Sequence, residues 1–257
     1  MTKFGLGMLL FCALFSVRAE PSLCIPTHFD QTVQLSHVID GETLALTDGR
    51  IVRLIGIKAP TIDTQYPELS EPFANQSRQF LAQQLSDKQT LYLAFDNKRL
   101  DSKGKTLAYV YTEQKLHLQE MMLSQGYAKA RVYLNDYFWQ CLDRVEQSAR
   151  EAKLGLWRYL EYQTKTVEQL SRDDLNHWIE IRGVVTNLER KDQNWSLIVD
   201  EKLHITVPSE LSPSFTQVLT INLLKTSIII KGELYFSYGK WQIITHHPSQ
   251  IILLNEP

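Results

Sequence analysis

The chain has 257 residues, with 27 Lys and Arg against 29 Asp and Glu, giving a formal net charge of −2. That balance excludes a bulk electrostatic binder of nucleic acid, because non-specific affinity comes largely from phosphate neutralisation by Lys and Arg; any such role needs a local basic stripe. The length exceeds the usual single domain, so two domains are expected.

Residues 1–19 read as a secretory signal: Lys3 gives a positive start, Leu6 to Phe15 is an apolar run too short to span a bilayer, and Val17-Arg18-Ala19 brings small residues to a cleavage site. Removing them takes away Lys3 and Arg18 and no acid, leaving 25 basic against 29 acidic residues and a net charge of about −4. Cys24 lacks the preceding small residues of a lipid-attachment site, so a soluble export product is expected, periplasmic or secreted. No later run is long and apolar enough for a membrane helix, and no stable membrane insertion is expected. Cys12 leaves with the signal. Cys24 and Cys141 remain, and a pair of cysteines in an oxidising compartment is usually bonded; the alternative is two separate buried thiols.

The stretch Val38 to Thr61, VIDGETLALTDGRIVRLIGIKAPT, runs from one Asp-Gly turn through an apolar strand to a second Asp-Gly turn at Asp48-Gly49, then along a second strand to Lys58-Ala59-Pro60. Two strands joined by such a turn make a hairpin, and it lets Glu42 and Arg53 face one pocket. Taken alone, Glu42 is a solvated strand-end carboxylate and Arg53 a rim charge. Ser70-Glu71-Pro72 has the chemistry of a helix start, and Phe73, Phe80, Leu81 and Leu85 then recur on one face. Leu91 to Phe95 and Thr106 to Tyr111 read as strands. Between and before them Lys88, Lys98, Arg99, Lys103 and Lys105 form a basic stretch diluted by Asp87, Asp96 and Asp101, either a nucleic-acid contact or a solvated hairpin. Leu118 to Gln125 is a short helix that Gly126 ends, and its Met121 and Met122 fill core gaps. A third helix is predicted from caps at Asn135 and Asp136, with Phe138, Leu142, Val145, Ala149 and Ala152 as its apolar stripe and Gly155 as its end.

These segments carry a resemblance. The hairpin, DSKGKTLAYVY (Asp101 to Tyr111), QGYAKA (Gln125 to Ala130) and SAREAKLGLW (Ser148 to Trp157) follow in the order of the staphylococcal-nuclease-like (thermonuclease) family. The resemblance implies a five-stranded Greek-key, OB-type barrel with three helices over residues 30–158, an α+β and mainly β fold, with Trp157 covering its core. It also implies a site in which two acids and a backbone carbonyl hold calcium, a Glu positions the attacking water and two Arg clamp the phosphate. In this chain Glu42 matches the first acid and Arg53 one Arg. Lys58 stands at the second acid, Thr61 at the water-positioning Glu and Lys105 at the second Arg. Calcium requires about 6–8 oxygen ligands, and an ammonium ~4 Å from a divalent ion costs about 8 kcal/mol at an effective dielectric near 20. Thr61 is no base near neutral pH, and Lys105 offers a point charge in place of a planar fork. No metal or other cofactor is therefore expected, and losing a positioned base removes about 10²–10⁴ in rate.

Residues 159–174 are polar and charge-mixed and are expected to be a linker. Beyond it, Trp178 to Val185, Trp195 to Val199, His204 to Val207, Thr226 to Phe236, Trp241 to Thr245 and Ile251 to Leu254 are β-rich runs, with Gly183 and Gly232 marking bends or bulges. They suggest a second small all-β, OB-like barrel over 175–257. Trp195, Tyr235, Phe236, Tyr238 and Trp241, with Arg190, Lys191, Lys231 and Lys240 nearby, are stacking and phosphate candidates, or core and edge aromatics. His246-His247 make a poor metal motif on their own.

The expectation is an exported protein on a nuclease-like scaffold with a degenerate active site. Arg53, Glu42 and Lys105 are what remains of its catalytic set. Lys98, Lys103, Trp195 and Trp241 are its candidate nucleic-acid contacts, and its partner is a single-stranded nucleic acid, or an envelope or secreted protein. The alternative is a working phosphodiesterase in which Arg53 and Lys105 hold the phosphate, Glu42 is base or ligand, and Asp40, Asp63 or Glu68 completes an oxygen site. A purely structural module is a third reading.

Overall fold

Alternation of apolar and polar residues along short runs, broken by turn-forming pairs, produces a chain built mostly of strands. A computed structural model describes residues 24–254; the signal expected over 1–19 and the last three residues lie outside that range. The first half comprises β1 (Gln31–Asp40), β2 (Thr43–Leu46), β3 (Ile51–Leu54), β4 (Ile57–Lys58), α1 (Ala74–Gln83), β5 (Thr90–Ala94), β6 (Thr106–Thr112), α2 (Leu118–Ser124), β7 (Lys129–Ala130) and α3 (Trp139–Glu151). The second comprises β8 (Lys165–Thr166), β9 (Trp178–Lys191), β10 (Asn194–Val199), β11 (Leu203–Val207), β12 (Ser227–Glu233), β13 (Tyr235–Ser237), β14 (Lys240–Ile244) and β15 (Ile251–Leu253).

Strands β1, β2, β3, β6 and β5 close into a five-stranded barrel. β1 is long enough to serve two neighbours: Gln31–Gln34 pairs with β5 and Leu35–Asp40 with β2, with register shifts that bend it between them. β3 and β6 run parallel, a pairing between residues some fifty positions apart that no local pattern announces. Leu35, Leu44, Val52, Leu54, Leu91, Leu93, Ala108 and Val110 fill the interior, and α2 and α3 cover it with Leu118, Met122, Leu123 and Leu142. Met122 is fully buried and Met121 packs against the same cluster, the gap-filling role expected of the pair. Cys24 and Cys141 are bonded, with Cα atoms 6.0 Å apart, so the segment leading into β1 is tied to α3. Tyr111 Oη donates to the Cys24 carbonyl oxygen at 2.6 Å and fixes that segment on the barrel.

Two helix starts differ from expectation because their capping side chains are used elsewhere. α1 begins at Ala74 after Phe73 at φ 69°; Ser70 Oγ accepts from Asp63 N at 3.0 Å and Glu71 Oε2 from Thr61 N at 2.5 Å. α3 begins at Trp139, since Asn135 instead brackets Lys98, Oδ1 accepting its N–H at 2.7 Å and Nδ2 donating to its carbonyl at 2.9 Å. Phe138, Leu142, Val145 and Ala149 are buried as the stripe predicts, but Ala152 lies at the helix end in solvent.

The second half forms an eight-stranded sheet in the order β13-β14-β11-β10-β9-β12-β15, with β8 beside β9. Its principal strands repeat the first barrel's logic. A long β9 pairs antiparallel with both β10 and β12, and β11 pairs parallel with β14 as β3 does with β6. This is the strand order of an OB fold, but hydrogen bonding does not close the ring between β12 and β14. There a Cβ on Gly232 would strike the Ile243 side chain, so the two strands meet through side-chain packing. Gly183, also expected at a bend, sits where β9 passes from β12 to β10. The predicted run Thr226 to Phe236 divides at Leu234 into β12 and β13.

Residues 159–174 are short 3-10 turns around β8 that pack on both halves: Tyr162 joins Ala149, Leu156 and Trp157, while Val167 enters the second core. A cluster of charges lies between the halves. Arg150 on α3 makes a two-pronged ion pair with Glu180 on β9 at 2.6 and 2.5 Å. Lys231 on β12 reaches Glu146 Oε2 at 3.2 Å, Asp143 at 3.3 Å and Glu180 at 3.7 Å. Lys129 donates to the Trp178 carbonyl; burial pushes its amine down to about 8, against the pull of Glu71, Glu180 and Glu146. Among the described residues no helix is long and apolar enough to cross a membrane.

Candidate functional site

The Asp40-Gly41 corner places Glu42 at the mouth of the barrel. Asp40 Oδ1 accepts the Glu42 N–H at 2.8 Å, and the corner packs so closely on α1 that a Cβ at Gly41 would lie 2.6 Å from Ser77 Oγ, a contact only glycine permits. Leu54 N donates to the Glu42 carbonyl at 2.8 Å, which locks β2 to β3 and brings Arg53 alongside. Glu42 is only 6% exposed. Its Oε1 accepts from Arg53 Nη2 at 2.7 Å and lies 3.4 Å from Lys58 Nζ, and its Oε2 accepts from Ala59 N at 2.8 Å. Burial works to raise this carboxyl's pKa, but Lys58, Arg53 and Arg131, with the Ala59 N–H, together hold it below the ordinary value of 4.5. Lys58 Nζ also donates to Thr61 Oγ1 at 2.9 Å.

Both carboxylate oxygens are thus committed, and an ammonium stands where the resemblance places a second acid. This donor set does not fit a calcium ion, which needs clustered oxygens and tolerates no fixed cation between them. Asp63 Oδ1 caps the amides of Gln65 and Tyr66. Among the described residues one other group brings three potential ligands together, Cys24, His117 and Glu120, but the Cys24 sulfur is in the disulfide and provides no thiolate.

Beside the Glu42 cluster opens a cleft of about 300 Å³ whose wall includes Arg53, Lys98, Asp101, Arg131, Tyr133 and Asn135. Three of these are cations and one is an acid. Asp101 is also held below its usual range: burial opposes this, while the amides of Lys105 and Lys103 and the charges of Arg53 and Lys105 favour the carboxylate. Arg131 directly follows β7 and the QGYAKA motif. Its N–H donates to Gly56 O at 3.0 Å, its guanidinium lies 5.4 Å from the Trp178 ring centre and 3.8 Å from Glu233, and its buried Nε has no hydrogen-bond partner. Sequence reading missed it, although its position directly after a matched motif was a usable signal.

The other sequence-predicted residues are distributed as follows. Lys98 lines the cleft, with its backbone held by Asn135. Lys103 and Lys105 form the adjoining turn, where both amides donate to Asp101 Oδ1 at 2.8 and 2.9 Å, and neither lines the cleft. Trp195 lies on the second sheet, packed on its core and bordering a separate depression with Lys191, His204, Tyr238 and Lys240. Trp241 packs on the same core, edge to face with Phe236 at 4.8 Å.

A closed OB-type barrel carrying three helices, with an arginine and a carboxylate paired at its mouth, defines a nuclease-like domain. Residues 51–159 match the family described as staphylococcal nuclease homologue. The chain is 30% identical over 135 residues to the thermonuclease of Staphylococcus hyicus, covering 50% of this chain and 76% of that protein. It is 29% identical over 128 residues to the thermonuclease of Staphylococcus intermedius, covering 48% and 74%. The SPbeta prophage-derived endonuclease YokF of Bacillus subtilis (strain 168) is 31% identical over 137 residues, covering 51% of this chain and 46% of that one. The chain belongs to the staphylococcal nuclease homologue family.

Proposed function

We propose that this is an exported member of the family whose hydrolytic site is degenerate, and that it binds single-stranded nucleic acid without efficient cleavage. One observation carries the reading: Lys58 makes an ion pair with Glu42 and a hydrogen bond with Thr61, filling the place of a metal with a fixed cation that cannot activate water. Arg53, Lys98 and Arg131 in the neighbouring cleft support retained affinity for phosphate. The disulfide supports an oxidising compartment. The test pairs two measurements on one preparation, hydrolysis of single-stranded DNA and RNA with calcium or EDTA, and binding of short labelled strands as salt is raised. Binding at low salt with negligible turnover is expected; with about three phosphates neutralised, the logarithm of affinity should fall with the logarithm of salt at a slope near −2. Calcium-dependent turnover like that of an intact nuclease refutes the reading, and no binding at low salt leaves a protein-binding role.

A second reading, cleavage by an altered site, draws on Glu71, whose Oε2 lies 2.5 Å from Thr61 N and so brings a carboxylate to the segment where the family's Glu is missing. It requires EDTA-sensitive cleavage that both Glu42→Gln and Glu71→Gln abolish.

A further inference from the structure

The basic cleft does not end at the first barrel. Tyr133 and Leu134, 40% and 39% exposed, form its far edge and also one wall of a second groove of about 540 Å³ between the two halves of the chain. That groove contains no Lys or Arg and is bordered by rings. Tyr133 lies 4.1 Å from His246 between ring centres, and Trp139 lies 5.1 Å from His247. On the opposite side Ser214 and Gln217 offer a hydroxyl and an amide beside Val218.

The rings are held in place before any ligand arrives. The backbone amides of His246 and His247 both donate to Gln250 Oε1, at 2.7 and 2.9 Å, and Gln250 is buried, with Nε2 donating to Lys231 O at 2.9 Å. His247 Nδ1 accepts from Ser249 N at 3.2 Å, and its Nε2 lies 3.8 Å from Asp136. Burial holds both imidazoles below their ordinary value, so both are neutral near pH 7. A cationic cleft continuous with a ring-bordered groove that holds one acid, Asp136, and no Lys or Arg matches a ligand that carries anions at one end and flat rings at the other.

We propose that the groove walled by Tyr133, Trp139, His246 and His247 is a base-binding extension of the cleft, taking unstacked bases of a single strand whose phosphates lie on Arg53, Lys98 and Arg131. Stacking on aromatic faces tolerates any base and adds affinity per base bound. The second half of the chain thereby supplies binding residues to the first. This rests on the reading that the cleft binds nucleic acid.

The test uses the whole mature protein and labelled oligothymidylates of two to eight nucleotides at low salt, read by fluorescence anisotropy. Affinity is expected to rise with length beyond the dinucleotide. His246→Ala is expected to weaken the longer strands on the order of tenfold while leaving the dinucleotide unchanged. Trp139→Ala, checked for a native unfolding transition, provides the independent variant. Cross-linking of a 5-iodouridine strand should label peptides containing Tyr133 or His246-His247. Binding that is independent of length, or unchanged for long strands in both variants, overturns the inference alone. Absence of binding at every length overturns both the inference and the reading beneath it.

Discussion

Lys58 Nζ donates to Thr61 Oγ1 at 2.9 Å, joining the two positions at which the resemblance places a second acid and a water-positioning Glu. On the proposed reading the two residues act as one unit, in which the Thr61 hydroxyl holds the amine that takes a metal's place. Lys58→Asp should return an oxygen donor to the face of Glu42 and remove the repelling charge. Millimolar calcium is expected to raise the melting temperature of this variant and leave the parent unmoved, with a gain of about 2.7 kcal/mol at a calcium concentration one hundred times Kd. An equal calcium shift in the parent would sink the account of the site.

Glu42 neutralises two cations in a place where only 6% of the residue meets water. Glu42→Gln keeps the shape but leaves Arg53 and Lys58 facing each other, and a loss of about 2–4 kcal/mol in urea unfolding is expected. The pH dependence has a definite sign. Because the folded-state carboxyl titrates below 4.5, its contribution is complete above that value and fades as pH falls through the folded pKa. The stability difference between parent and variant should thus narrow in acid below pH 4.5 and stay constant from there to neutrality.

The Cys24–Cys141 bond closes 117 residues of sequence. In the chain-entropy account a loop of that size contributes up to about 4–5 kcal/mol. A Cys24→Ser, Cys141→Ser protein should melt lower than the parent by a margin that disappears when both are scanned in reductant. A parent whose melting temperature ignores reductant would count against the bond.

Lys231 reaches Glu146 and Glu180, both nearly excluded from water. Its Nζ is held above the usual lysine range: burial opposes this, and Glu146, Glu180 and Asp143 outweigh it. Lys231→Met leaves Glu146 and Glu180 sharing Arg150 as their counter-ion across the seam, and a loss of about 3 kcal/mol is expected. Calorimetry should show a lower transition temperature in the variant, with the Arg150–Glu180 pair still joining the halves.

How much of this was readable in the sequence depends on how far apart the interacting residues lie. Glu42, Arg53 and Lys58 fall within one hairpin, where turn chemistry sets the register, so their meeting could be anticipated. The second half's strands were legible from their β-rich runs, yet the parallel β11–β14 pair was not, because it joins residues tens of positions apart, and neither was the seam of Gly232 on Ile243, which depends on side-chain fit. The helix start at Asn135 was misplaced for the same reason, since its amide is committed to Lys98, 37 residues away; at Ser70 and Glu71 the competing partners, Asp63 and Thr61, lie in the preceding loop. Arg131 is marked only by following the QGYAKA motif, and Lys231 reads as a phosphate candidate beside the aromatics although it is committed to Glu146 and Glu180; only the packing of the two halves reveals what each faces.

The bridge at Lys231 has a bearing on how the protein can be divided. During synthesis α3 leaves the ribosome long before β12, so Glu146 and Arg150 have only each other until Glu180 and Lys231 follow. A fragment stopped at residue 174 would keep the family's barrel but present to water a helix face that evolved against another surface. Swapping in a relative's catalytic half would likewise discard the anchoring charges. The two halves are held as a pair by Arg150, Glu180, Glu146 and Lys231.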